Sequence, residues 1–379
     1  MLRQVLVTLA LSAASVQAYG HSVEVRGKAI YVDERPFTVK GIYFGPWRAG
    51  TGPGKGYPYP TAEQIEQDLL LIRSLNVNTI LVTDPPGYVL DLAERHGLKV
   101  LYSFYLDWRV QTPAAAQAER DNVLQRVRQY RQKPALLGWV LGNEIPLNTI
   151  QQRGQKTLEH DLAHLYRAVK LADSRHPVTH SNWPQAKDLD LSFFDIVSFN
   201  VYPLWPPEVV ALGYDHYIQQ VLQPIAGNKP LLISEFGANS LEAKEDGEAR
   251  LISQCWRGLR AAGACGGVVF EFADEWWKNY DNPQRTGTWW ARQFAPDDEK
   301  THDLDPEEYY GVVRADRQPK AAFAAVQAMY AEDEHTGVTS ARLIPAVIIA
   351  FLLLLAGGSW LWGARRARAM LRRQQRRAS

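Results

Sequence analysis

LLGWVLGNE, Leu136–Glu144, and PLLISEFG, Pro230–Gly237, decide how this chain is read. Each is an apolar run that stops at a carboxylate, Glu144 in the first and Glu235 in the second. A run such as Leu136 to Leu141 shows no polar alternation, the pattern of a strand buried on both faces in a parallel sheet. A carboxylate just past such a strand lies where the chain leaves the core. In a barrel of parallel strands that edge carries the reacting groups. Two glutamates at one rim suit glycoside hydrolysis, one protonating the leaving oxygen and the other attacking the sugar carbon.

Around these two runs, strands and helices alternate. Strand-like runs fall at Phe37–Phe44, Asn78–Val82, Lys99–Phe104, Leu136–Gly142, Val178–Asn182, Phe194–Val201, Pro230–Ser234 and Gly266–Phe272. Helical periodicity falls between them, at Thr61–Leu75, Val89–His96, Ala116–Arg131, Leu158–Ala172 and Ala243–Ala262. Pro319 opens a last helix that reaches Tyr330. Eight strands alternating with helices predict an α/β fold, a (β/α)8 TIM barrel. An open doubly wound sheet would need a GxGxxG turn behind its first strand, and the sequence has none. Glu144 and Glu235 close strands four and seven, so three βα units of about 30 residues each separate them. Their strands then face each other across the barrel.

Before the first barrel strand, Val23–Arg35 alternates about a turn at Gly27-Lys28, which predicts a short N-terminal hairpin closing the barrel floor. The first loop, GPWRAGTGPGKGYPYP, Gly45–Pro60, reads as a binding loop. Asp281–Gln318 is a long insertion after strand eight, containing Trp289, Trp290, Phe294 and an acid-rich stretch, Asp297–Glu308. That stretch reads as a solvated loop in preference to a calcium site. No cysteine–histidine cluster has zinc spacing, and no cofactor or metal is called for.

The two ends read as targeting and anchoring segments. Met1–Ala18 has a basic start at Arg3, an apolar stretch and the small-residue pattern Val16-Gln17-Ala18, as in a secretory signal peptide. Leu343–Gly363 carries no charge and would span about 32 Å as a helix. Trp360 and Trp362 close it, and seven arginines from Arg365 to Arg377 follow. That asymmetry places the tail in the cytoplasm and the body outside it, in the periplasm, on a single-pass membrane anchor. The expected division is a signal over 1–18, the barrel over 19–334, a linker over 335–342, a transmembrane helix over 343–363 and a basic tail over 364–379. The formal net charge of +1 conceals an acidic body: without Arg3 and the tail arginines, 34 basic residues face 41 acidic ones. An acidic, aromatic-rich body argues against nucleic acid and suits an oligo- or polysaccharide, with the lipid bilayer as the second partner. Cys255 and Cys265 straddle a helix-to-strand turn, which leaves open a disulfide or two buried thiols.

KPALLGWVLGNE resembles the acid/base signature of glycoside hydrolase family 2, within the wider clan of retaining barrel glycosidases. LLISEFG is similar to that clan's nucleophile strand. NTILVTDPPGYVLDLAERHGLKVL, ADSRHPVTHSNW, FDIVSFNVYP and VVFEFADEWW agree in order, so the likeness runs from about Val23 to Tyr330. The resemblance implies Glu144 as general acid/base and Glu235 as nucleophile. It implies Asn143 on the sugar 2-hydroxyl, Tyr202 donating to the nucleophile, and Trp276 as a stacking floor, with Trp277 a near-equal choice. Trp47, Trp108, Trp183 and Trp205 also lie just past strands and suit sugar faces, with Asp107 and Arg48 as polar candidates at the same rim. Two features depart from the family. Its preceding sugar-binding and immunoglobulin-like domains are absent here, and strand two lacks an arginine that many relatives carry, with Asp84 in that neighbourhood. The reaction expected is retaining hydrolysis or transglycosylation of a β-linked glycan. The alternatives are an inverting glycosidase, or a non-catalytic carbohydrate-binding or envelope-assembly protein on the same scaffold.

Overall fold

The structure is a computed structural model that describes residues 21–53, 56–109, 112–280 and 306–332. The expected signal, the apolar run Leu343–Gly363 and the arginine tail lie outside those residues. Among the described residues no helix is long and apolar enough to cross a membrane.

Eleven strands are described. Three form a small antiparallel sheet: β1 Val23–Arg26, β2 Ala29–Val32 and β3 Arg35–Phe37. Eight form a closed parallel barrel: β4 Val39–Tyr43, β5 Thr79–Thr83, β6 Lys99–Phe104, β7 Leu136–Asn143, β8 Val178–Asn182, β9 Val197–Asn200, β10 Leu231–Phe236 and β11 Gly266–Val269. The barrel closes where β11 pairs with β4, Gly266 opposite Val39 and Val269 opposite Ile42. The (β/α)8 fold read from the sequence is therefore present, with all eight strands in the expected order.

Three local expectations differ. The run Phe37–Phe44 is not one strand: Arg35–Phe37 pairs antiparallel with β2, and the barrel strand starts only at Val39. The chain turns at Thr38 from the floor sheet into the barrel, so an unbroken apolar pattern hides a change of partner. Strand six begins at Val197 rather than Phe194, because the Phe194 N–H donates to the Leu191 carbonyl in a turn and its ring packs on Tyr166 and Phe193. Strand eight leaves the ladder after Val269: Glu271 donates its N–H to Tyr310 and Phe272 to Tyr43.

Alternation along the barrel strands divides the core in two. Ile42, Ile80, Val100, Trp139, Phe199 and Ile233 face the helices. Leu81, Leu101, Leu137, Leu232 and Val268 belong to a separate cluster with Val23, Ile30 and Val32 of the small sheet. The N-terminal sheet thus stoppers the lower barrel, as its alternating sequence suggested. Helix starts follow local chemistry. Thr61 caps Ala62–Ser74 through a reciprocal pair: its hydroxyl accepts from the Gln64 N–H, and the Gln64 side chain accepts from the Thr61 N–H. Thr112 caps Pro113–Tyr130, and Asn239 caps Ser240–Ala261. Cys255 and Cys265 are both buried free thiols, which resolves the choice left open by their spacing.

Candidate active site

The upper barrel opens into a cavity of about 910 Å³ lined by Asn143, Glu144, Trp183, Tyr202, Trp205 and Glu235, among others. Both carboxylates arrive there through a break in strand regularity. The β7–β8 register shifts between Val140 and Asn143, and the β9–β10 register shifts between Ile233 and Glu235. Such irregularities re-aim side chains beside reacting groups. Gly142 turns the first of them with φ +77°, and a Cβ there would meet the Trp108 ring at 2.2 Å. Glu144 itself has φ +32°, a left-handed backbone that a glutamate rarely adopts. Its N–H is held by the Ser181 carbonyl at 2.9 Å.

The two carboxylates have different partners. The Glu144 Oε1 accepts from Asn200 Nδ2 at 2.8 Å, and the same amide donates to Asn143 Oδ1 at 3.0 Å. Ser234 fixes that amide's orientation by donating to Asn200 Oδ1 at 2.8 Å. The Glu235 Oε2 accepts from the Tyr202 hydroxyl at 2.8 Å. Burial pushes the Glu144 carboxyl up to about 7, against the Asn200 hydrogen bond and helped by the charge of Glu307. Burial and then the charge of Glu144 push Glu235 well above the usual carboxylate range, with the Tyr202 hydroxyl pulling it back. Glu235 is buried and Glu144 half-buried, and two such acids that repel each other hold one proton between them over a wide pH range.

The other expected residues divide. Trp183 lines the cavity, with Nε1 donating to the Ile145 carbonyl at 3.0 Å and its ring stacked on Trp205. Trp108 does not line it. Its ring stands behind the Gly142 backbone, its Nε1 donates to the Asn143 carbonyl at 2.9 Å, and it meets neutral, buried His180 edge-on. Asp107 is engaged by Arg109 at 2.7 and 2.8 Å. Trp47 packs on Tyr59, and its carbonyl accepts from Arg317. Arg48 and Arg317 both pair with buried Asp68, which ties the first loop to the segment before the last helix. Trp276 and Trp277 are half-buried beyond β11 and outside the cavity lining, Trp277 against Gly52. Asp84 pairs with Arg126, which also donates to the Tyr102 hydroxyl.

Several site residues carried no assigned role in the sequence reading. Asn200 ends β9 two residues before Tyr202, inside FDIVSFNVYP, and the matching Asn143 at the end of β7 is the signal for it. Glu307 and Tyr310 come from the far end of the Asp281–Gln318 insertion, and only the folded chain brings them to the cavity; Pro306 and Glu308 beside them are buried, so this end of the acid-rich stretch is not the solvated loop expected. Tyr310 packs edge-on against Tyr202 at 5.7 Å and Phe270 at 5.4 Å. Behind Phe270, Lys278 sits 4.4 Å from the ring centroid and pairs with buried Glu271. Residues 297–305 of the acid-rich stretch lie outside the described residues. Among the described residues no group of three or more His, Cys, Asp or Glu side chains could hold a metal ion.

Comparison with known proteins gives a consistent picture. The family profile described as "Glycosyl hydrolases family 2, TIM barrel domain" matches residues 23–334. The β-galacturonidase of Eisenbergiella tayi, bound to galacturonate, superposes with a TM-score of 0.64 at 20% identity, covering 82% of this chain and 54% of that one. The β-glucuronidase of Bacteroides uniformis superposes with a TM-score of 0.65 at 20% identity, covering 81% of this chain and 37% of that one. These likenesses show the fold. A 1,3-beta-glucanosyltransferase of Saccharomyces cerevisiae is 22% identical over 307 residues, which is 72% of this chain and 62% of that protein.

Proposed function

We propose, from the premise that this chain belongs to the family 2 glycosyl hydrolases through their TIM barrel domain, that it is a retaining enzyme acting on an uncharged β-linked glycan. One observation carries the reading: Glu144 and Glu235, from strands on opposite sides of the barrel, line one cavity with different hydrogen-bond partners. Glu235 is the nucleophile. The Tyr202 hydroxyl donates to its carboxylate and favours the charged form. Both carboxyls are raised by burial and neighbouring negative charge; with the Tyr202 donor holding the charge on Glu235, the one proton the pair shares falls to Glu144, which can give it to the leaving oxygen near neutral pH. In the first displacement a Glu235 oxygen bonds to the anomeric carbon, the glycosidic bond breaks, and the Glu144 proton passes to the departing oxygen. In the second, Glu144 takes a proton from the incoming hydroxyl, whose oxygen displaces Glu235. Asn143, held by Asn200, is placed for the sugar 2-hydroxyl.

The charge of the cavity supports the substrate class. Glu144, Glu235, Glu242 and Glu307 line it, and no lysine, arginine or histidine does among the described residues. A uronate would meet carboxylates without a cation among the described lining residues. If water enters in the second step the enzyme hydrolyses; if a sugar enters, it transfers. The likeness to a yeast glucanosyltransferase favours transfer as a second outcome. The sequence features of both ends support export and a single membrane anchor, with the barrel facing envelope glycans.

The test is incubation of the detergent-solubilised full chain with aryl β-glycosides and uncharged β-glucans, following the first product by proton NMR. Retention of the anomeric configuration is expected. An inverted first product, or no turnover across the panel, would overturn the reading.

A further inference from the structure

We infer that the stacked Trp183–Trp205 pair is the acceptor platform of this cavity and sets the ratio of transfer to hydrolysis; this rests on the retaining reading above. The two indoles lie 5.7 Å apart, centroid to centroid, with planes 22° from parallel. Both line the cavity. Their position relative to the carboxylates gives them a side. Trp183 follows β8, the strand next to Glu144's own, and its Nε1–H is anchored on the carbonyl of Ile145, the residue after Glu144. Trp205 lies beyond β9, in a tight turn closed by a bridge to Tyr202, whose hydroxyl holds Glu235. The pair therefore occupies the arc of the rim between the two carboxylates, through β8 and β9. Tyr43 and Phe270 line the cavity from the other arc, at β4 and beyond β11.

General-acid chemistry decides which arc receives which sugar. Glu144 must reach the leaving oxygen, so the departing sugar lies on the flank where Glu144 stands. The reverse step uses the same proton position, so an incoming sugar hydroxyl occupies the place the leaving oxygen vacated. A ring that stays on Trp183 and Trp205 holds that hydroxyl against the Glu235 ester at an effective concentration water must compete with. Sugar rings present apolar C–H faces, which indole rings cover. Pro203 and Leu204 line the same edge, and Leu204 is 59% exposed, an apolar side chain left at the mouth where a longer acceptor would run. The transfer step balances without a cofactor. The acceptor oxygen bonds to the anomeric carbon, the ester bond to Glu235 breaks, and the hydroxyl proton goes to Glu144.

The experiment uses the full chain in detergent with dinitrophenyl β-glucoside, β-galactoside and β-mannoside as donors, and cellobiose and laminaribiose as acceptors. Released phenol reports the first step. The mass-resolved ratio of transferred to hydrolysed sugar reports the second, and each variant supplies its own ratio whatever its overall rate. Trp205→Ala and Trp183→Ala should each lower that ratio about tenfold at fixed acceptor concentration, and Trp205→Tyr should hold it within about twofold. Should an alanine variant fail to fold, Trp183→Phe and Trp205→Phe keep a smaller ring and should lower the ratio by a smaller factor. Phenol release with an unchanged ratio in the substituted proteins overturns the platform and leaves the retaining reading standing. Phenol release with no transfer in the unsubstituted protein does the same. No phenol release from any donor overturns the reading and the platform together.

Discussion

The floor and the rim of this barrel are both buried, and they are buried in opposite chemistry. At the floor, Val23, Ile30 and Val32 pack on Leu81, Leu101 and Leu137, apolar on apolar. At the rim, Glu235, Glu271 and Glu275 are 7%, 0% and 2% exposed. Burial of the first kind holds the molecule together, because it removes apolar surface from water. Burial of the second kind opposes folding, because it takes carboxylates from water with few partners. One closed sheet carries both, stability at one end and reactivity at the other.

The largest expected effect breaks the rim alone. Glu235→Ala should lower turnover about 10⁴-fold or more, and azide should partly restore it by entering the vacated space as a nucleophile. Its thermal midpoint should not fall, since a buried acid has been removed. Glu144→Gln should slow glycosides with poor leaving groups by about 10²- to 10⁴-fold, and dinitrophenyl glycosides far less, since these need little protonation. Equal losses across leaving groups would reverse or erase the two roles.

The floor should respond the other way. Ile30→Ala should cost about 2–5 kcal/mol of stability by denaturant unfolding. Its kcat/KM per folded molecule should stay within about twofold, since Ile30 belongs to the apolar floor cluster and does not line the cavity. A folded but inactive Ile30→Ala protein would show that floor and rim are not separate.

A smaller effect appears in pH. The folded Glu144 carboxyl sits at about 7, against 4.5 for the free group, so the folded state keeps a proton that the unfolded chain has lost. Stability from this group is then fully present below about pH 4.5 and is lost as pH rises through 7, by on the order of 3 kcal/mol. Glu235 shifts in the same direction. Melting curves between pH 5 and 8 should fall with pH in the unsubstituted protein and fall less in Glu144→Gln. An equal slope in both would remove Glu144 as a source. The smallest effect should come from ending the chain after Glu334. Activity on a soluble aryl glycoside should stay within about twofold, while only the full chain should sediment with membranes.

The contrast also governs what the sequence revealed. Barrel strands buried on both faces have continuous apolar runs, so Leu136–Leu141 and Leu231–Ile233 could be placed from residue type alone. The floor was legible through the alternation of Val23, Val25, Ile30 and Val32. The rim was legible where a carboxylate, amide or aromatic side chain closes or follows a strand, as at Asn143, Glu144, Trp183, Tyr202 and Glu235. Asn200 ends a strand in the same way, but its link to Asn143 and Glu144 depends on the break in β7 regularity, which no periodicity reports. Trp108 faces a backbone glycine rather than the cavity because Gly142 leaves room for its ring. Glu307 and Tyr310 lie about 70 residues from Glu235 in the chain and reach it only through tertiary packing, beyond the range of any local pattern.

The central claim is that Glu235 bonds to the sugar. A dinitrophenyl 2-deoxy-2-fluoro-β-glycoside, whose second displacement is slow, should inactivate the full chain with release of one phenol per molecule. Peptide mass mapping should then find the glycosyl group on the peptide containing Glu235, with fragmentation placing it on that carboxyl. A glycosyl group on any other residue, or rapid turnover of the natural glycan with no trapped adduct and an inverted product, would contradict the account.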